Sequence, residues 1–165
     1  MGKITVNGLQ EYSLMLSRLS EKTEEIAGKA LYAGADIVAD KVKENIRSLP
    51  SVPDIEGIKA WRANEPAPIT VSAKRGLLES MGIASQQTES GGSINVKIGF
   101  DGYNDIKTKT YPNGQPNQLI ARSIESGSSI SSAHPFIRPA ANAVRKQAQK
   151  KMGEVIEEEI EKLQK

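Results

Sequence analysis

Between Ile26 and Ile46 the chain keeps one helical period without a break: Ala27, Leu31, Gly34, Val38, Val42 and Ile46, with Ile26, Ala30, Ala33 and Ile37 alongside. Apolar side chains at steps of three and four share one face of an α-helix, so a stripe of this length commits the chain to a long helix lying across its core. The first half of the stripe is mostly Ala and Gly. A second backbone can therefore come close there, although each contact buries little apolar area. Ser20 and Thr23 offer a helix start, and Glu21, Glu24 and Glu25 sit where a helix N-terminus favours negative charge. Pro50 and Pro53 close the far end, because proline lacks the N–H and clashes with the preceding turn. The expectation is a central helix over about residues 22–48.

Two more helices bracket it. Asn7-Gly8-Leu9-Gln10 reads as a variant capping box, and Leu9, Tyr12, Leu16 and Leu19 continue as a short separate helix to about Ser20. At the other end, Pro139 opens a long C-terminal helix whose stripe is Ala141, Val144, Ala148, Met152, Ile156, Ile160 and Leu163, expected over about 138–163. Its charge is divided. Arg138, Arg145, Lys146, Lys150 and Lys151 come first, and Glu154, Glu157, Glu158, Glu159 and Glu161 follow, against the helix dipole. Either the cost of a few tenths of a kcal/mol per charge is tolerated, or the two ends meet complementary partners.

The middle of the chain is less periodic. Residues 49–72 carry Pro50, Pro53, Pro66, Pro68 and the only tryptophan, Trp61, and read as a long loop. Leu77, Leu78 and Met81 suggest a short helical turn. A hairpin over about 82–100 follows, with Ile94, Val96, Ile98 and Phe100 alternating against Asn95, Lys97 and Gly99 after the Gly91-Gly92 turn signal. Asp101 to Asn117 reads as a second long loop, and Leu119, Ile120, Ser123 and Ile124 as a two-turn helix ending at Gly127. The fold class is α+β: one domain over 1–165, with a small antiparallel sheet packed against a long central helix and a long C-terminal helix.

Chemistry is sparse. With no cysteine and a single histidine, His134, thiolate chemistry, disulfides and multi-imidazole metal sites are excluded. No glycine-rich phosphate loop and no nucleophile elbow occurs, so His134 reads as a polar residue ahead of Pro135. The helical acid pairs Asp36/Asp40 and Glu157/Glu161 read as solvated faces. No catalytic residue, metal ligand or cofactor is expected. The opening Met1-Gly2-Lys3-Ile4-Thr5-Val6 lacks the apolar run of a secretion signal, and no stretch is long and apolar enough for a bilayer, so the expectation is a soluble intracellular chain with no membrane partner.

A net charge of +2 does not itself point to nucleic acid. The cations do gather in or beside the long loops: Lys59, Arg62, Lys74 and Arg75 in the first, Lys107 and Lys109 in the second. With Trp61 and Tyr111 they form the candidate subunit or partner interface. The alternative is a nucleic-acid-binding module that uses residues 59–75 and 107–109 on phosphates.

Pro135-Phe136-Ile137-Arg138-Pro139-Ala140 resembles a signature that leads into a C-terminal helix in the tail-component family of long-tailed phages named after the tenth gene product of phage Hong Kong 97. Other blocks resemble that family in the same order. They are Ile4 to Leu9 at its opening strand, the Ala-rich helix from Ile26 to Ile46, Lys74 to Ser80 before the hairpin with Arg75 where Thr is usual, and Ile120 to Ser128 before the Pro-Phe block. The resemblance implies an α+β virion protein of tail or neck that completes the tail or joins it to the head. It also implies assembly as a ring of six subunits and no enzyme activity; with it go the expectations that the loops dock on neighbouring neck or tail-tube proteins and, in the nucleic-acid alternative, that the basic loops contact DNA non-specifically in the channel. Pro135, Phe136, Ile137, Arg138 and Pro139 would seat the last helix.

Overall fold

The computed structural model describes residues 9–163 except 86, 89–93, 108 and 130; the side chains of residues 9–13, 15, 61, 87 and 88 also lie outside the described set. The opening strand at Ile4–Val6, the Asn7 cap, the Gly91-Gly92 turn and the side chain of Trp61 therefore fall outside the described residues.

The first helix, α1, runs Leu9–Ser48 as one element of 40 residues. The two helices expected before Ile46 are a single one, and Thr23 shows why. Its hydroxyl donates to the Leu19 carbonyl at 2.8 Å, a bond one turn back that lets a would-be cap sit mid-helix. Glu25 likewise serves as a side-chain partner along the helix, pairing with Lys22 at 3.2 Å and Lys29 at 2.8 Å.

The last helix, α5, spans Ile137–Leu163, one residue from the expected start. It packs antiparallel to α1: Asn45 meets Phe136, Gly34 faces Met152, and Lys29 pairs with Glu159 at 2.7 Å. Small residues are buried on both helices, Ala30, Gly34, Ala35 and Ala39 on α1 and Ala140 and Ala148 on α5, whereas Ala27 and Ala33 of the expected stripe are half-buried. The acidic half of α5 is partly neutralised within the subunit. Lys162 and Lys29 hold the Glu159 carboxyl down to about 2, and Lys150 and Lys151 approach Glu154 at 3.8 and 3.6 Å.

Between the long helices lie α2 (Asp54–Arg62), α3 (Val71–Ser80), β1 (Met81–Ile83), β2 (Gln87–Thr88), β3 (Ile94–Asn95), β4 (Ile98–Phe100) and α4 (Asn117–Ser126). The first expected loop thus contains a helix. Its period is hard to read because, among the described side chains of α2, Gly57 and Ala60 are the ones half-buried, while Ile55 and Ile58 face solvent. A Cβ on Gly57 would stand 2.4 Å from the Thr70 methyl, so only glycine lets α2 lie this close. The legible signal was charge: Asp54 and Glu56 in the first turn, Lys59 and Arg62 in the last, as the dipole prefers.

The hairpin pairs as expected in direction but not as one ladder. Met81, Gly82 and Ile83 oppose Phe100, Gly99 and Ile98, whereas Gln87 and Thr88 oppose Asn95 and Ile94. Three residues on one side face two on the other between these pairs, and the extra residue shifts the register by one. Met81, Ile83, Ile98 and Phe100 turn to the core, leaving Gly82 and Gly99 outward.

The core gathers at the C-terminal end of α1: Val42, Ile46 and Leu49 meet Ile69, Leu77, Met81, Ala121, Ile124, Phe136 and Ala140. It therefore fills one end of the α1/α5 pair. No helix among the described residues is long and apolar enough to cross a membrane.

Candidate functional site

The helix-seating block is built from two elements. On α4 the buried face is Asn117, Ala121, Ile124 and Glu125, so a glutamate occupies a core-facing position, 8% exposed. Its carboxylate accepts the backbone N–H of Phe136 at 2.7 Å, of Ile137 at 2.8 Å and of Arg138 at 3.0 Å. These are three of the four N–H groups that a helix start leaves without an internal partner, and the fourth residue is Pro139, which has no N–H. Every unpaired donor at the start of α5 is thereby satisfied by one side chain or removed. Burial pushes the Glu125 carboxyl up, but the three N–H donors and Arg138 outweigh it and hold the group below the usual carboxylate range.

Phe136 then turns inward, 1% exposed, with its ring 6.1 Å from that of Phe100 at 66°. Asn45 of α1 donates to its carbonyl at 3.0 Å. Ile137 packs against the core edge, while Pro135, Arg138 and Pro139 are exposed. Glu125 stands inside a segment the sequence singles out, but nothing local marks its role. The available signal was a glutamate on the apolar face of a short helix, ten residues ahead of a proline-bounded helix start. His134 is exposed, and its backbone N–H donates to the Ile124 carbonyl at 2.7 Å.

The second long loop is held by Asn104, 6% exposed, whose side-chain oxygen accepts from Ile106 at 3.1 Å and Gln115 at 2.9 Å. Gly114 makes this possible: at φ +103 its added Cβ would lie 1.9 Å from the Asn104 carbonyl oxygen. Gly114→Ala is expected to destabilise the protein by at least about 1–3 kcal/mol, since both the backbone conformation and the close approach are lost. An unchanged urea midpoint would overturn this.

The basic residues do not gather into one patch. Lys74 is half-buried and donates to the Leu49 carbonyl at 2.8 Å, closing the end of α1. Arg75 reaches Asp105 at 3.4 Å and so ties α3 to the second loop, where Lys107 and Lys109 are exposed and Tyr111 is half-buried. Arg62 ends α2 on the exposed face that also carries Lys59, and that helix is fixed from its other end by Asp54, which accepts from the Ser72 N–H at 3.0 Å and from its hydroxyl. Trp61 belongs to α2, with its side chain outside the described residues. Two of the six cations thus engage the protein itself, whereas Lys59, Arg62, Lys107 and Lys109 have no ion pair among the described residues. Nor do any three His, Cys, Asp or Glu side chains among those residues form a group able to hold a metal.

The family described as "HK97-gp10_like: Bacteriophage HK97-gp10, putative tail-component" matches residues 14–110, more than half of the chain. The match runs from α1 through the hairpin into the second loop, and includes the Lys74–Ser80 block but not the Glu125–Pro139 joint. No curated protein and no solved structure matches. A chain with this helix-rich α+β fold and this match belongs to the HK97-gp10-like family of phage tail components.

Proposed function

We propose that the protein is a ring-forming structural subunit of a tailed phage or prophage, acting at the neck in tail completion or head-tail joining. Its family supports a structural role in the virion. The observation that carries the finer reading is the one-sided placement of the core. Packing is concentrated where α1 ends, while the other end of α1 carries Leu14 and Leu16 at 57% and 51% exposure. A lone monomer gains nothing from leaving such residues on a projecting helix; a subunit that completes its packing on assembly does. In this reading the ring has six subunits, docks on neighbouring neck or tail-tube proteins with its loops, and borders the channel through which DNA passes. The chain is made in the host cytoplasm and works in the virion.

The test is electron microscopy of particles from the parent phage or induced prophage with a stop codon in place of Leu31. Filled heads beside unattached or overlong tails are expected, and which tail defect prevails separates joining from completion. Normal infectious virions would overturn the proposal.

A further inference from the structure

A cavity of about 240 Å³ lies between α3, the start of the second long loop and the N-terminal end of α4. Its rim is charged and exposed, with Arg75 and Glu79 on α3 and Asp101 and Asp105 on the loop. Its floor is the reverse: Asn104 is 6% exposed, Asn117 3%, and Ser80 is half-buried. Three side-chain atoms there, Ser80 Oγ, Asn104 Nδ2 and Asn117 Oδ1, are buried with no hydrogen-bond partner among the described residues. Buried polar atoms left unpaired are few in a folded protein, because each forfeits its bonds to water and gains none. Three of them on the wall of one cavity call for a partner that the chain itself does not supply.

The network fixes what each amide offers. Asn104 already accepts from the Ile106 and Gln115 N–H groups, so its oxygen is engaged and its NH2 end is the unpaired one. Asn117 donates to the Asp101 carbonyl at 2.9 Å, so its nitrogen is engaged and its oxygen is free. Both lie against Gly76, where an added Cβ would stand 3.0 Å from Asn117 Oδ1 and 3.4 Å from Asn104 Cβ. Gly76 is inside α3 and has no positive φ, so neither its backbone conformation nor helix formation favours glycine. What it supplies is room for the two amides beside α3.

We infer that this cavity receives a carboxamide, whose oxygen accepts from Asn104 Nδ2 and Ser80 Oγ and whose NH2 group donates to Asn117 Oδ1. A carboxylate or phosphate would set an acceptor against Asn117 Oδ1 and add negative charge to a rim of three carboxylates and one guanidinium. An ammonium or guanidinium ion has no acceptor for Asn104 Nδ2. A metal is no better served, since no three acidic or histidine side chains among the described residues form a group for one. Of these classes only the carboxamide brings a donor and an acceptor side by side without charge. In the empty subunit the three atoms are closed off from solvent, and at the rim the exposed Arg75–Asp105 contact at 3.4 Å ties α3 to the loop. A pair so exposed holds weakly in water, so the loop can give way to admit the group. The same group is carried by small amides and by the asparagine and glutamine side chains of a neighbouring protein. The site does not depend on the ring reading proposed above.

Nitrogen-15 NMR of the labelled natural chain, titrated with acetamide, tests this. The side-chain NH2 signals of Asn104 and the backbone signal of Gly76 are expected to shift and saturate. Acetate and acetamidinium have the same shape but lack the donor and the acceptor respectively, and are expected to bind about tenfold more weakly or less at equal ionic strength. Ser80→Ala is expected to weaken acetamide several-fold, and Gly76→Ala, whose methyl enters the floor, to abolish the shifts. Circular dichroism checks that each variant folds, and Ser80→Ala carries the test if Gly76→Ala does not. Tighter binding of N-acetylglutamine methylamide than of acetamide would assign the occupant to a protein side chain, and equal binding to a small amide. No saturable shift with acetamide would mean that the cavity holds water only, and equal or tighter binding of acetate or acetamidinium that it is an ion site; either result overturns the inference. Saturation by cytidine but not acetamide would overturn it in favour of a pocket that reads a nucleic-acid base. The stop-codon experiment is independent: its failure leaves this site standing, and failure here leaves the neck role standing.

Discussion

Phe136→Ala is expected to destabilise the protein by about 3–5 kcal/mol, the range for deleting a fully buried phenylalanine. The upper part of that range applies because the site cannot easily collapse. The Phe136 N–H is held by Glu125 and its carbonyl by Asn45, so the backbone cannot move in to fill the cavity. The edge contact with Phe100 is lost as well. Urea denaturation measures the effect, and a midpoint unchanged from the natural chain would show that Phe136 does not seat α5.

Removing the cap of that helix is expected to have the second-largest effect. Glu125→Ala leaves three N–H groups without their acceptor, and a hydrogen bond to a charged group contributes about 1.5–3 kcal/mol while a buried donor left unpaired costs about 1–3. Water can reach part of the joint, since Arg138 is exposed, so the expected loss is about 3 kcal/mol rather than the full sum. Glu125→Gln keeps one acceptor oxygen but turns an NH2 group toward N–H donors, and should lose roughly half as much.

Acid separates the charge from the shape. The folded-state pKa of Glu125 is lowered from an ordinary 4.5, so its stabilisation is complete above about 4.5 and disappears as pH falls through the folded value. The stability gap between the natural chain and Glu125→Gln should therefore be widest near neutral pH and narrow well below 4.5. A gap independent of pH would mean that the ionised carboxylate is not the acceptor. Glu159, held down to about 2 by Lys162 and Lys29, loses its contribution equally in both proteins as pH falls and so leaves the difference intact.

The elements legible in advance were those whose cause is local. The C-terminal helix, its proline-marked start and the alternation through Ile98 and Phe100 each follow from periodicity within a few residues. The continuous α1 was not legible, because Ser20 and Thr23 serve equally as caps or as mid-helix hydroxyls bonded one turn back. Nothing within the segment chooses between those uses. The α2 helix was hidden for the opposite reason: it shows Ile55 and Ile58 to solvent and its glycine to the interior.

The candidate surfaces divide in the same way. Phe136 and Ile137 were recognisable as core-seating residues from the block around them, whereas the roles of Glu125, Asn45 and Asn104 depend on partners 11 to 91 residues away in sequence. Lys74 and Arg75 look alike among the basic loop residues, yet one closes the end of α1 and the other reaches across to Asp105. The sequence by itself determined the core stretch of α1 from about residue 22 onward, the C-terminal helix, the antiparallel direction of the hairpin, the absence of cysteine chemistry and the likeness to phage tail components, because these rest on residue type and spacing. Only the tertiary structure decided which carboxylate caps α5, which cations stay exposed, and which apolar faces lack a partner. Those outcomes depend on which donors and surfaces the folded chain brings within contact distance, and spacing along the sequence does not specify that.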